Sequence, residues 1–296
     1  MKTKADGVVT KEACASRITR RSALLAAPGA LLAAYSRRST FGGVALGIQT
    51  RSFKDRPLDE AIAAMSLIGF GSCELSGTHV EPQTPPAGGL RQWRLTVPLD
   101  LFATAGEKLR QAGIEPLFLT YNLSATSSEA EIARGFEMAK ALGATAISSS
   151  TKLNVVPAID AVAKRYKMRV GLHNHSIIRA GEITTPDDFA EALRGRSEYI
   201  AVTLDIGHFT AAGFDPALWF RQHHRDVISL HIKDRKKDEG PPVPFGEGDT
   251  PIDQVLRYTR ENARDIPALI EYEYDAGDRV AEIRKCFDYC KNVLSS

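Results

Sequence analysis

From Val44 onward, short apolar runs alternate with segments of helical periodicity, and the pair recurs about every 30 residues, the length of one βα unit. That rhythm confines the chain to parallel α/β architectures. The apolar runs predict eight strands, at 44–49, 72–75, 115–120, 144–149, 169–174, 199–205, 227–232 and 268–272. An open doubly wound sheet would carry a glycine-rich phosphate fingerprint after its first strand, and none follows residue 49. The expected fold is therefore a closed (β/α)8 TIM barrel of the α/β class. It forms one domain over residues 41–296, with its chemistry at the C-terminal ends of the strands. A length of 296 residues accommodates one such barrel of roughly 250 residues behind a leader.

Capping chemistry marks the intervening helices. Ser128-Glu129-Ala130-Glu131 reads as a capping box, while Thr185-Pro186-Asp187-Asp188 and Thr250-Pro251-Ile252-Asp253 each put Thr at the N-cap, Pro at N1 and an acid at N3. Ile132, Phe136, Ala139 and Leu142 form an apolar stripe that Gly143 closes; the stripe is core and carries no function. Two connections are longer than usual: 77–98, with His79, Trp93 and Arg94, and 233–249. Each is read either as a cover over the barrel mouth or as a surface excursion.

Residues 1–40 hold eight Lys or Arg against Asp6 and Glu12, so of the overall +2 the remainder keeps −4. A mildly acidic body argues against a nucleic-acid partner, whose phosphates a binding surface must neutralise. In the leader, Arg20-Arg21 precede a 13-residue apolar stretch, 23–35, followed by Arg37-Arg38. The stretch is too short to span a bilayer. With small residues at Ala33-Ala34, residues 1–40 resemble a twin-arginine export signal and linker; a basic tail without order is the alternative. The expectation is a periplasmic or secreted protein with no stable membrane insertion after signal removal. Cys14 would leave with the signal, and Cys73, Cys286 and Cys290 give no disulfide framework. Cys286 and Cys290, four apart on a helix, suit buried thiols.

Ionisable residues appear where the last four strands run out. Strand five ends Leu172-His173-Asn174-His175, with the two histidines on one face. Strand six ends at Asp205, with His208 three residues on; strand seven ends His231-Ile232-Lys233 and strand eight Glu271-Tyr272-Glu273. Any one of these alone would be an ordinary structural residue. His173, Asp205, His231 and Glu271 brought to one rim make a site for a divalent cation of intermediate softness, such as manganese, cobalt or zinc. The alternative is a hydrogen-bonded polar plug without metal.

These motifs, with His231-Ile232-Lys233-Asp234 and Gly246-Glu247-Gly248-Asp249, resemble the xylose isomerase-like TIM-barrel family. That family includes sugar phosphate isomerases and epimerases, inosose dehydratase-like lyases and relatives of AP endonuclease family 2. The resemblance runs from about Val44 to near the C-terminus. It implies a metal held by Asp205, His231 and Glu271, manganese first, with cobalt, zinc or magnesium as alternatives. The family's strand-five ligand is a Glu before Asn; here that position is His173, taken as the fourth ligand, so the two-glutamate epimerase mechanism does not transfer whole. Glu271 is the expected base. His175 and Lys233 are further catalytic candidates, Lys233 with a pKa depressed beside the cation. His208, Glu74 and Trp93 are assigned to substrate, and Tyr121 and Asn122 are weaker rim candidates.

The implied activity is metal-dependent sugar isomerisation or epimerisation by proton abstraction next to a carbonyl. A lyase or hydratase acting on 3-keto-sugars or keto-glycosides is the runner-up, and a noncatalytic sugar-binding barrel is the alternative of another class. Export favours free sugars and keto-sugars over sugar phosphates. The expected partner is a small-molecule sugar or keto-sugar, and the sequence is compatible with a homo-oligomer. The family's nuclease branch fits poorly, since it uses more histidines and needs a basic surface.

Overall fold

The computed structural model describes residues 37–84, 86 and 89–296. The expected signal residues Arg20-Arg21, the apolar stretch 23–35 and Cys14 lie outside the described residues.

Eight parallel strands form the barrel: β1 (Val44–Gln49), β2 (Ser72–Leu75), β3 (Glu115–Thr120), β4 (Ala146–Ser149), β5 (Arg169–His173), β6 (Ile200–Asp205), β7 (Val227–Ile232) and β8 (Ala268–Ile270). Each pairs with its sequence neighbour, and β8 pairs back onto β1, which closes the ring. Every residue of β1, β6 and β7 is buried, because helices cover the outside while side chains fill the inside. The expected strands thus form, with trimmed ends: β4 begins two residues late, and β5 and β8 stop short of Asn174 and Glu271. Beyond β8 the Glu271 N–H still donates to the Ile232 carbonyl at 2.9 Å, so Glu271 stays aligned with the ladder.

The barrel interior changes character along its axis. At the N-terminal end Phe118, Ala146, Ala201, Ile228 and Leu269 pack as an apolar cluster separate from the main core. Above them Thr203 and Ser229 share a buried hydroxyl hydrogen bond of 2.8 Å. The ionisable residues come last, at the C-terminal mouth.

Helix starts follow the capping rules with two corrections. Helix α6 (Pro186–Leu193) opens on the full reciprocal box of Thr185 and Asp188. At α4 (Glu129–Leu142) only half a box forms: the Ser128 hydroxyl accepts from the Glu131 N–H at 3.2 Å, but the Glu131 carboxylate is taken by Arg91 at 2.9 Å. Helix α9 (Ile252–Asn262) starts one residue late, with Pro251 at the N-cap. Thr250 is diverted by Asp234, which accepts the Thr250 N–H, and its hydroxyl accepts from the Arg235 N–H.

No residue of either long connection lines the site cavity, although Lys233 and Arg235 of the second touch residues at the site. Residues 77–98 contain helix α2 (Gly89–Thr96), where the buried Arg94 pairs with Glu81 at 2.8 Å, donates to the Asn122 carbonyl and lies 4.4 Å over the Tyr121 ring. Those contacts pull the segment onto the outer wall. Residues 233–249 fold over Asp234, whose carboxylate accepts from Gly246 and Gly248 N–H at 2.8 and 3.0 Å. Gly248 is obligatory there, since a Cβ would lie 1.9 Å from Asp234 Oδ1. Cys73, Cys286 and Cys290 are free and buried, as their spacing predicted. No helix among the described residues is long and apolar enough to cross a membrane.

Candidate metal centre

The tips of β5, β6 and β7 and the first residue after β8 bring His173, Asp205, His231 and Glu271 together, with one potential ligand atom from each lying within 4.8 Å of all the others. Local sequence fixes this convergence. Asn174 is buried, and its side chain accepts from the Asp205 N–H at 2.9 Å and donates to the Asp205 carbonyl at 3.1 Å, tying β5 to β6 beyond the end of the ladder. Asp205 caps the short helix α7 (Ile206–Ala211) by accepting from the His208 N–H at 2.7 Å through Oδ1, which leaves Oδ2 for the site. Gly207 clears the way for Lys233, because a Cβ there would sit 2.2 Å from Lys233 Cγ.

Three of the converging atoms, Asp205 Oδ2, His231 Nδ1 and Glu271 Oε2, are buried and make no hydrogen bond of regular geometry; their close contacts are ionic, from Lys233 to both carboxylates and from His231 to Glu271. Buried polar atoms are ordinarily hydrogen-bonded as well. A shared divalent cation would engage all three at once, and two carboxylates with two imidazoles suit manganese, cobalt or zinc. The donor set therefore fits a metal.

Lys233 is buried, at 1% side-chain exposure, and its ammonium lies 3.1 Å from Asp205 Oδ2, 3.2 Å from Glu271 Oε2 and 2.9 Å from Glu273 Oε2. Burial opposes its charge, but the three carboxylates outweigh burial and raise its pKa. Burial likewise pushes Asp205 and Glu271 upward. For Asp205 the surrounding His208 and Lys233 prevail, for Glu271 Lys233 and His231, and both carboxyls stay below the usual range. His231 is carried up to about 10 against its burial, since Glu74 and Glu271 flank its two ring nitrogens at 2.8 and 3.1 Å.

Glu74, assigned to substrate from sequence, lines the cavity and is also committed to neighbouring side chains. It is fully buried, bound to His231 Nε2 through one oxygen, and it accepts from the Thr120 hydroxyl at 2.6 Å through the other. A carboxylate behind a histidine fixes the ring so that the remaining nitrogen faces the metal. Above these groups lies a cavity of about 340 Å³ whose walls include His173, His175, His208, His231, Glu271 and Glu273. Burial lowers the pKa of both His175 and His208, keeping their rings neutral near pH 7. Arg235 donates to His208 Nδ1 at 2.8 Å and holds that ring in place.

A model of the xylose isomerase-like TIM barrel matches residues 63–293, and the chain belongs to that family. L-ribulose-5-phosphate 3-epimerase UlaE of Escherichia coli is 30% identical over 88 residues, 29% of this chain and 31% of the epimerase, so the match spans under a third of that relative. Two solved structures share the fold. A sugar phosphate isomerase/epimerase from Parabacteroides distasonis is 16% identical over 86% of this chain and 96% of its own, with a TM-score of 0.62. The IolI protein with a bound zinc atom is 16% identical over 85% and 98%, with a TM-score of 0.64.

Of the residues singled out from sequence, His173, His175, His208, His231, Glu271, Glu74 and Asn122 line the cavity, and Asp205 lies buried beneath it. Lys233 is not among the lining residues; its ammonium contacts Glu271 and Asp205. Trp93 is half-buried against the core on α2 and is likewise absent from the lining. Tyr121 turns outward, donating to the Glu131 carbonyl. Sequence reasoning missed Gln49, Arg51 and Ser150 in the wall and Arg235 behind His208. Gln49 and Ser150 lie at strand ends, a position that could have flagged them; Arg235 is placed by the Asp234 turn, which leaves no periodic signal.

Proposed function

We propose that the chain is a metal-dependent sugar isomerase or epimerase that removes a proton from the carbon beside a carbonyl. The reading rests on one observation: buried ligand atoms of His173, Asp205, His231 and Glu271 converge within 4.8 Å of one another, under an open polar cavity. The names of UlaE and of the Parabacteroides structure, and the zinc in IolI, support it.

His173, Asp205, His231 and Glu271 would hold the cation, manganese first among the candidates, and when bound it supplies Lewis acidity that polarises a sugar carbonyl. Glu271 takes the proton, and Lys233 keeps it ionised and positioned for that task. His175 and His208, neutral and facing the cavity, hold substrate hydroxyls or carry the proton onward. Glu74 and Thr120 keep His231 in one orientation.

His173 itself favours a second reading. With an imidazole where the family has a glutamate, the ligand set offers fewer carboxylates to return a proton from the opposite face. Elimination on a 3-keto-sugar needs a single acid–base group: Glu271 would take the proton beside the carbonyl and return it to the departing hydroxyl, while the neutral His175 and His208 orient that group by hydrogen bonds; hydration is the reverse.

One experiment separates these readings. Protein loaded with manganese, cobalt or zinc is mixed with sugars and 3-keto-sugars in deuterium oxide. Deuterium at one carbon, with inverted configuration or a moved carbonyl, is the expected result; loss of a substituent favours the lyase. Ligand binding with no exchange across the panel would leave a noncatalytic sugar binder. Residues 1–40 are proposed to direct export to the periplasm or beyond, for which Arg20→Lys with Arg21→Lys should retain the protein in the cytoplasm on cell fractionation.

A further inference from the structure

The cavity over the metal ligands is not closed at its side. Ser150 and His175 belong to its wall and also to the wall of an adjoining cavity of about 190 Å³, whose other sides include Leu123, Ala125, Thr151 and Lys152. Ala125 and Lys152 in turn border a wider cleft of about 710 Å³ that runs past Asn154 to Arg196. The three spaces therefore adjoin in series along the loops that follow β3, β4 and β5, each sharing two wall residues with the next.

We infer that the substrate is a glycoside of at least two rings, its reacting ring over Glu271 and its second ring between Leu123 and Lys152; this rests on the sugar-processing reading above. A single free sugar would leave the adjoining cavity unused. The walls of that cavity suit a pyranose, with its apolar face and hydroxylated edge: Leu123 and Ala125 are apolar, while Ser150, Thr151 and Lys152 carry polar groups. The wall is also preformed. Lys152 and Glu182 are joined by a backbone bridge and by a 2.7 Å ion pair, so little ordering remains for a ligand to impose.

The test compares one-ring and two-ring sugars on the whole metal-loaded protein by saturation-transfer NMR and calorimetry. The probes are cellobiose, maltose, lactose, trehalose and sucrose against glucose and galactose. Ala125 is exposed and belongs to no ligand set, so Ala125→Trp fills the adjoining cavity and leaves the metal ligands alone. At least one disaccharide is expected to bind about tenfold tighter than its component sugars, with saturation on both rings. Ala125→Trp should abolish the gain and the second-ring signal while leaving monosaccharide affinity unchanged. Absence of disaccharide binding, equal affinity for one and two rings, or a two-ring gain that survives Ala125→Trp overturns the inference. A gain that depends on Ala125, with no deuterium exchange in any keto form, would instead overturn the enzymatic reading and leave the second-ring site assigned.

Discussion

The two halves of the barrel are built alike and equipped differently. Strands β5 to β7 and the residue after β8 contribute His173, Asp205, His231 and Glu271, with Lys233 behind them. Strands β1 to β4 face the same cavity with Gln49, Thr120 and Ser148, neutral hydrogen-bonding groups, and with a single acid, Glu74. That acid is committed across the barrel to His231. The difference separates holding a charge from aiming it: the second half carries the charges, and the first half reaches over to orient one of them.

The contrast should break hardest in the second half. Glu271→Gln removes both a ligand and the proposed base, and turnover should fall by about a thousandfold, with metal content by elemental analysis reduced as well. In the first half, Glu74→Gln should weaken metal affinity by about 10- to 100-fold through loss of His231 orientation, with much of the turnover recovered at saturating metal. Equal damage from both substitutions would erase the distinction.

A pH series sharpens it. His231 lies at about 10 in the metal-free protein against an ordinary 6.5, so its charge stabilises the fold fully below about pH 6.5, and that contribution fades as pH rises through about 10. A metal on Nδ1 must displace a proton. Affinity is therefore expected to climb about tenfold per pH unit toward that value, with one proton released in calorimetry across buffers of different ionisation enthalpy. Glu74→Gln should flatten the climb. The smallest effect is expected outside both halves, where Trp93→Phe should leave turnover within about twofold, as for substitutions away from any special feature.

The barrel was legible because its signal is periodic: apolar runs at βα spacing predict parallel strands, and β1 and β7 keep the predicted ends. His173, Asp205, His231 and Glu271 were legible because ionisable side chains break apolar runs at strand tips. The other contributions depend on contacts between distant segments. Glu74 reads as a lone acid at the end of β2, and only closure of the ring shows that its partner is His231, 157 residues away. Trp93 was assigned to substrate, but the Arg94–Glu81 pair holds its helix where Trp93 packs against the core and not in the cavity wall. Thr250 and Pro251 matched a helix start, and the claim of Asp234 on Thr250 moved that start by one residue.

The apolar floor of the cylinder has its own consequence. With Phe118, Ile228 and Leu269 sealing one end, the space above Glu271 is a cul-de-sac, and nothing can thread through it. Whatever enters by the mouth must leave by the same mouth, so substrate and product share one route.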